Sequence, residues 1–481
     1  MDRDEDGDMT TTPDDRFDPV LRRRIGVILL GGALGILNST MVAVGIDQLA
    51  GEFTTSLATV GWVSTGFLLA VTVTIPVTGW AVDRFGGRPM WLVGLGLFLL
   101  GSLGCGLAWN VESLIGFRVL QGIGAGILDP LVLTLLVRAA GPRRAGRVMG
   151  LMAAVLSLGP VLGPVVGGVV LQGMGWRWMF LLSVPLAGLA IVLARRVMPA
   201  DPPEPEQSGV RLDVLGVALL GPGFAGLLLV LSQTADRAEF LVWPVLVPLV
   251  VGVALLALYA VHAARSTRPL VDLGLFTRGG FAASVAVMAL TGMAMFANLV
   301  VLPLHFLQAG GHGALVAGLL VAPLGVGSAV AAPLAGRISD RIGSRNLALV
   351  GAGVAALASY TFTWVGPETG EVWLVVAGLA VGVGLGFVGP PAMGSLYRTL
   401  PGPLVPQGSS VLYMLNQLGG SIGVAVVALV LDTAGRGLAG FHAVYWFLTG
   451  STVVLVAVSA LLPGRPSADP ADEKADAVSI C

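Results

Sequence analysis

Long apolar runs constrain this chain more than any other feature. From Ile25 to Pro463 they follow one another with short breaks, each roughly 20 residues and so long enough to cross a hydrocarbon core of about 30 Å. A backbone in lipid must satisfy its polar groups within the segment or by closed pairing. The alternation of barrel strands is absent, so the runs read as helices. Charged residues make up 11% of the 481 positions and hydrophobic residues 55%, with mean hydropathy +0.87. A soluble protein carries about 25% charged residues. The 69 glycines suit close helix approach in a membrane.

The runs place fourteen spans near 25–46, 57–81, 89–109, 112–136, 147–171, 178–198, 213–233, 241–264, 281–307, 314–336, 346–364, 372–397, 408–432 and 441–463. Basic residues test this count, because loops left inside the cell collect them. With the N-terminus inside, the inner ends hold Arg22 to Arg24, Arg84, Arg88, Arg138, Arg143, Arg144, Arg147, Arg195 and Arg196. Arg211, Arg265, Arg268, Arg278, Arg337, Arg341, Arg345, Arg398 and Arg465 continue the series, against Arg177, Arg237 and Arg436 outside. Dropping one span would invert the pattern downstream. The expectation is an all-α integral membrane protein of 14 transmembrane helices in the cell membrane, both termini cytoplasmic. The acidic, proline-rich stretch Pro199 to Gln207 reads as an extended cytoplasmic linker. The expected organisation is a disordered tail over 1–21, helices over 22–198, linker and two helices over 199–280, helices over 281–463, and a second tail over 464–481.

Several function classes drop out. Lys474 is the single lysine, so a GxxxxGK[ST] phosphate loop cannot form. Energy for transport must come from an ion gradient or the substrate's own. The four histidines are isolated and no nucleophile–base arrangement occurs, so an enzyme, a metal and a cofactor are not expected, nor is a nucleic-acid partner. Cys105, inside a span, and Cys481, at the last position, are not placed to form a structural disulfide.

After the second span the chain reads Gly79-Trp-Ala-Val-Asp83-Arg84-Phe-Gly86-Gly-Arg88, and after the tenth Gly336-Arg-Ile-Ser-Asp340-Arg341-Ile-Gly343-Ser-Arg345. Both are GxxxDRxGxR, 257 positions apart, as two related halves would give. This pattern resembles the signature loop of the major facilitator superfamily. Arg118-Val-Leu-Gln121-Gly122-Ile-Gly124 in the fourth span is similar to that family's intramembrane arginine motif. Gly159-Pro160-Val-Leu-Gly163-Pro164-Val-Val-Gly167-Gly168 in the fifth is similar to its antiporter motif. Trp176-Arg177-Trp178-Met179-Phe180, Pro269-Leu270-Val271-Asp272-Leu273 and Gln417-Leu418-Gly419-Gly420 resemble the fourteen-helix drug:proton antiporter branch. The resemblance implies two six-helix bundles plus two inserted helices, and proton-coupled antiport that exports hydrophobic drugs or similar small molecules by alternating access, from a monomer. It assigns gating to Gly79, Asp83, Arg84, Gly86, Arg88, Asp340 and Arg341, which also serve as topological anchors. A dedicated exporter of one metabolite, or a non-transporting sensor on the same fold, is the alternative.

Proton coupling needs a buried acid. Arg118 lies inside the fourth span, where a guanidinium is costly and a functional candidate by default. Asp129 follows eleven residues later on nearly the same face, roughly 16 Å deeper at 1.5 Å per residue. It is the carboxylate that falls clearly within a span, and an acid in low dielectric can exchange a proton near neutral pH. Related exporters read LDxTIVNVALP in the first span; here the stretch is Leu37-Asn38-Ser39-Thr40-Met41-Val42-Ala43-Val44-Gly45-Ile46-Asp47. Asn38 replaces the family's acid and cannot titrate. The expectation is that coupling moves to Asp129, with Asn38 hydrogen-bonding near Arg118. Gln121, Phe296, Asn298, Tyr413, Asn416 and Gln417 are candidates for a mostly apolar substrate cavity. His305, near the outer end of its span, reads as an interfacial histidine. Gly159, Gly163 and Gly167 read as a close-packing stripe.

Overall fold

The computed structural model describes residues 18–141, 144–199, 212–237, 243–266, 269–308, 310–311, 314–366, 369–401, 404–434 and 437–464. Both expected tails, apart from their innermost residues, and nearly all of the linker lie outside these. So do the side chains of Pro160, Pro164, Asp340 and Arg341.

The described chain is helical throughout. Its elements are α1 (Pro19–Val44), α2 (Ile46–Glu52), α3 (Leu57–Phe85), α4 (Gly87–Gly106), α5 (Val111–Ala140), α6 (Ala145–Gly173), α7 (Trp178–Leu181) and α8 (Ser183–Val197). After the linker come α9 (Val214–Arg237), α10 (Trp243–Arg265), α11 (Gly279–Gln308), α12 (Ala314–Ile342), α13 (Ser344–Phe362), α14 (Glu371–Thr399), α15 (Val405–Thr433) and α16 (Leu438–Ser459). Among the described residues, 11 stretches are long and apolar enough to cross a membrane, with α7 and α8 forming one of them. The other three expected spans fall on α6, α9 and α13. Of these, α6 and α9 contribute the shorter apolar stretches Ala145–Gly159 and Val214–Val230.

Two local features differ from expectation. The short helix α2 continues α1 beyond Gly45. The duplicated Asp-Arg pair is also not in a loop: Asp83 and Arg84 occupy the last turn of α3, and Asp340 and Arg341 that of α12. Arg84 there complements the negative end of the helix dipole. The reversal itself is made by Gly86 (φ 90°, ψ 159°) and Gly343 (φ 91°, ψ 170°), a backbone region that is essentially glycine-only. The two halves therefore turn the corner in the same way.

A second repeat accompanies the first. Gly122-Ile-Gly124-Ala-Gly126-Ile-Leu-Asp129-Pro130 in α5 matches Gly382-Val-Gly384-Leu-Gly386-Phe-Val-Gly389-Pro390 in α14, 260 positions later. The packing repeats with it. Gly122 and Gly126 abut the backbone of α3 at Phe67 and Val71, and Gly124 abuts α4 at Phe98. Gly382 and Gly386 abut α12 at Leu324 and Ser328, and Gly384 abuts α13 at Gly351 and Ala355. Small residues at these crossings let backbones approach closely, the main source of helix association in lipid.

The halves meet tightly on the face that carries the Asp-Arg pairs. A Cβ on Gly150 of α6 would lie 2.5 Å from the Ala332 carbonyl of α12, and one on Gly336 of α12 would strike the Gly146 carbonyl of α6. Gly79 of α3 sits against Pro406 and Gln407 of α15. Thr134 of α5 hydrogen-bonds Ser409 of α15 at 3.0 Å. That face is sealed.

Candidate functional site between the halves

Above the seal lies a cavity of about 240 Å³ walled by α1, α3, α5, α6, α11, α12, α14 and α15. Its surface is mostly apolar, with Phe67, Met288, Met295, Phe296 and Met393 contributing large side chains. The polar lining is sparse. Ser157 of α6 and Ser328 of α12 share a hydrogen bond of 2.8 Å across the halves. Asn416 spends its amide on the Met288 carbonyl at 2.8 Å. Asp129 is the one carboxylate among the lining residues, and no Lys, Arg or His accompanies it. Tyr413 of α15, from the opposite half, lines the same cavity.

Four of the six expected cavity residues, Phe296, Tyr413, Asn416 and Gln417, line this space. Asn298 and Gln121 do not. Asn298 is fully buried and turns its amide back onto the Ala294 carbonyl at 2.8 Å. Gln121 belongs to a separate polar cluster closer to the opposite face. At its centre Arg118 is fully buried. Its Nη1 donates to Asn38 Oδ1 at 2.7 Å and to Gln121 Oε1 at 2.8 Å, and its Nε donates to the Val63 carbonyl at 2.9 Å. The guanidinium lies 4.2 Å from the Phe67 ring centroid, a favourable cation–π placement. Asn38 is held in turn, its Nδ2 donating to the Met179 carbonyl and Ser183 Oγ at 3.2 Å each. Gln121 Nε2 donates to Ser102 Oγ at 2.7 Å. All the acceptors on Arg118 are neutral. Arg118 and Asp129 share a helix but not a site.

The glycine stripe of α6 packs on α1. Gly159 meets Ile36, Gly163 meets Thr40, and Gly167 faces the Met41 backbone at 3.0 Å. Thr40 Oγ1 donates to the Gly159 carbonyl at 3.2 Å, while Gly168 faces open space. At the α3–α4 turn, Arg88 Nη2 donates to the Arg195 carbonyl at 2.8 Å, Asp83 is half-buried and Arg84 is exposed. His305 is not interfacial: it is buried against Phe441 and Tyr445, with ring centroids 4.9 and 6.0 Å away. Cys105 is buried and free.

The serine bridge and the Thr134–Ser409 contact have no sequence signal, since single hydroxyl residues in apolar helices usually bond their own backbone. Asp129 has one. Its repeat counterpart is Gly389, which also lines the cavity.

Residues 28–424 match the Major Facilitator Superfamily profile, with a second match over 284–479. The chain belongs to that superfamily. It is a multi-pass membrane transporter, not an enzyme. It is 36% identical over 420 residues to the "Multidrug resistance protein B homolog" of Mycobacterium tuberculosis strain H37Rv, covering 87% of this chain and 77% of the relative. It is 28% identical over 405 residues to the "Lincomycin resistance protein LmrB" of Bacillus subtilis, covering 84% of each. Among solved structures, the proton:xylose symporter XylE is similar at TM-score 0.67 and 15% identity, covering 92% of this chain and 96% of the other. The human organic anion transporter MFSD10 is similar at TM-score 0.65 and 17% identity, covering 92% and 100%. These two likenesses concern the fold.

Proposed function

We propose that this superfamily member is a proton-coupled antiporter that exports hydrophobic drugs or similar small molecules across the cell membrane by alternating access. In this reading fourteen helices span the bilayer as two six-helix bundles with α9 and α10 inserted between them. Both termini are cytoplasmic, so the sealed Asp-Arg face is the inner one. Protons enter through Asp129 and substrate leaves from the same cavity. The observation that carries the reading is the cavity itself: an apolar chamber between two repeated halves, holding a single carboxylate. Names of relatives that describe multidrug and lincomycin resistance support a drug cargo.

The chemistry is economical. A carboxylate desolvated in an apolar chamber favours either a proton or another way of losing its charge. Arg118 supplies a fixed positive charge that Asn38 cannot neutralise, so the cluster around it holds the helices α1, α3 and α5 together without titrating. The Gly79–Gly86 and Gly336–Gly343 segments form the inner gate that must part when the cavity turns inward. Expression in a pump-deficient bacterium tests this reading: wild type should raise tolerance to several unrelated hydrophobic compounds, and Asp129→Asn should abolish the gain at equal protein level. Tolerance to one chemotype alone would show a dedicated exporter. Undiminished proton-driven export by Asp129→Asn would remove Asp129 from the mechanism.

A further inference from the structure

The repeat carries Arg118 of α5 to Gly378 of α14, 260 positions later, and Gln121 to Val381. The neighbouring helix keeps its register. Gly124 abuts Phe98 of α4 where Gly384 abuts Ala355 of α13, and these two neighbours are 257 positions apart. The same shift pairs Ser102, which joins the arginine cluster through Gln121, with Ser359. The second half therefore keeps the serine and has neither the guanidinium nor the amide that links them in the first.

The side chains around Gly378 are polar nonetheless. Gly384 lies between Gly351 and Ala355 of the antiparallel α13, so equal rise along both helices sets Ser359 level with Gly378. Leu302 of α11 lies 3.7 Å from the position of a Gly378 Cβ. Asn298 and His305 flank Leu302 on the same face of α11, one turn to either side. His305 faces Tyr445 of α16 at 6.0 Å between ring centroids. Tyr445 stacks on Phe362 of α13 at 5.2 Å, one turn from Ser359. Asn298, His305, Ser359 and Tyr445 are all buried. Among the described residues, Asn298 Oδ1, His305 Nδ1, Ser359 Oγ and Tyr445 Oη have no hydrogen-bond partner. The Ala294 carbonyl fixes Nδ2 of Asn298 as a donor, which leaves Oδ1 as an acceptor.

We propose that these four groups form an internal water site in the second bundle, at the level where the first bundle holds a guanidinium. Buried polar groups without a protein partner are what structural waters satisfy, each water making about three hydrogen bonds. The chemistry suits water, which donates to Asn298 Oδ1 and accepts from the hydroxyls of Ser359 and Tyr445. Helix approach does not require glycine here: a Cβ on Gly378 meets nothing closer than 3.7 Å, whereas one on Gly384 would lie 2.6 Å from the Gly351 carbonyl. A free cation fits less well. No Asp or Glu occurs on α11, α13 or α16, and Glu371 of α14 stands at the first residue of its helix. An ion there would exchange its hydration shell for neutral partners alone, whereas Arg118 is held in its cluster by its own backbone.

Hydroxyl-radical footprinting of the full chain in nanodiscs tests the site, with X-ray radiolysis of water as the probe and mass spectrometry as the readout. A bound water generates the radical beside the ring it touches. Tyr445 should therefore be oxidised several-fold faster than Phe98 and Phe180, which are equally buried and lie in the first bundle. Asn298→Leu combined with Ser359→Ala should bring Tyr445 down to the rate of those two rings. Gly378→Ala, whose Cβ fits without a clash, should lower it by taking up part of the space. A wild-type Tyr445 as unreactive as Phe180 would show a dry bundle and overturn the proposal. Undiminished oxidation in Gly378→Ala and in the double variant would overturn it too, as would protection of Tyr445 by millimolar guanidinium, which would make this a cation site. If the double variant does not fold, Gly378→Ala alone decides.

Discussion

Replacing Asn38 isolates the worth of the buried arginine cluster. In Asn38→Leu the shape is nearly kept, but Arg118 Nη1 loses the acceptor at 2.7 Å, and the donations to Met179 and Ser183 disappear. Hydrogen bonds to charged groups contribute about 1.5–3 kcal/mol, and stripping a buried charge of its partner costs about 3–5 kcal/mol. Arg118 keeps Gln121 Oε1 and the Val63 carbonyl, which places the expected loss near the lower end, about 3 kcal/mol. Asn38→Asp behaves differently. It restores an acceptor and adds an opposite charge to the guanidinium, while turning a carboxylate oxygen toward the Met179 carbonyl. These effects oppose one another, and the net change should stay within about 1 kcal/mol. SDS-driven unfolding of the purified protein in mixed micelles, followed by tryptophan fluorescence, measures both. If Asn38→Leu were no less stable than Asn38→Asp, the claim that Asn38 solvates the Arg118 charge would be refuted.

The other expectations concern the seal and the turn. Gly86→Ala forces a Cβ into a glycine-only backbone region and should lose about 1–3 kcal/mol, with Gly343→Ala showing a loss of the same order in the same unfolding assay. Gly150→Leu should prop the Asp-Arg face open, since even a Cβ there meets the Ala332 carbonyl at 2.5 Å; thiol labelling of Asn346→Cys by a membrane-impermeant reagent in inside-out vesicles should rise, and unchanged labelling would refute the seal. His262→Ala removes the 2.8 Å contact with Asp213 at the foot of the inserted pair but leaves the amides of Gly216 and Leu270 on that carboxylate. It should cost about 1 kcal/mol and leave export unchanged, whereas a loss of export at full stability would give the inserted helices a part in coupling.

The fold was legible because lipid enforces a simple rule. A polar backbone must become helical in hydrocarbon, and the positions of Arg84, Arg88, Arg341 and Arg345 punctuate the helices independently of hydropathy. Asp83 and Arg84 were misread as a loop because charge usually marks a helix end, yet both suit a last helical turn and only Gly86 breaks it. The site was less legible. Phe296, Tyr413, Asn416 and Gln417 reach the cavity because α11 and α15 face each other, while Asn298, two residues from Phe296, points into the bundle. Sequence spacing gives a helix face but not which neighbour that face meets. His305 was placed at an interface from its position along the helix, and the aromatic rings of α16 bury it instead. Ser157 and Ser328 acquire meaning only as a pair, 171 residues apart.

The repeat explains why the chemistry sits in one half. Arg118 and Asp129 correspond to Gly378 and Gly389, 260 positions on, so α14 does the packing work of α5 with neither charge. Each buried charge is expensive in a bilayer. A second, symmetric carboxylate would add desolvation cost, and its charge would share one small apolar cavity with the first. Leaving Gly389 and Ala153 opposite Asp129 and Tyr413 keeps that wall of the cavity apolar. The departure from symmetry at Asp129 is therefore one that the packing of the fold does not require.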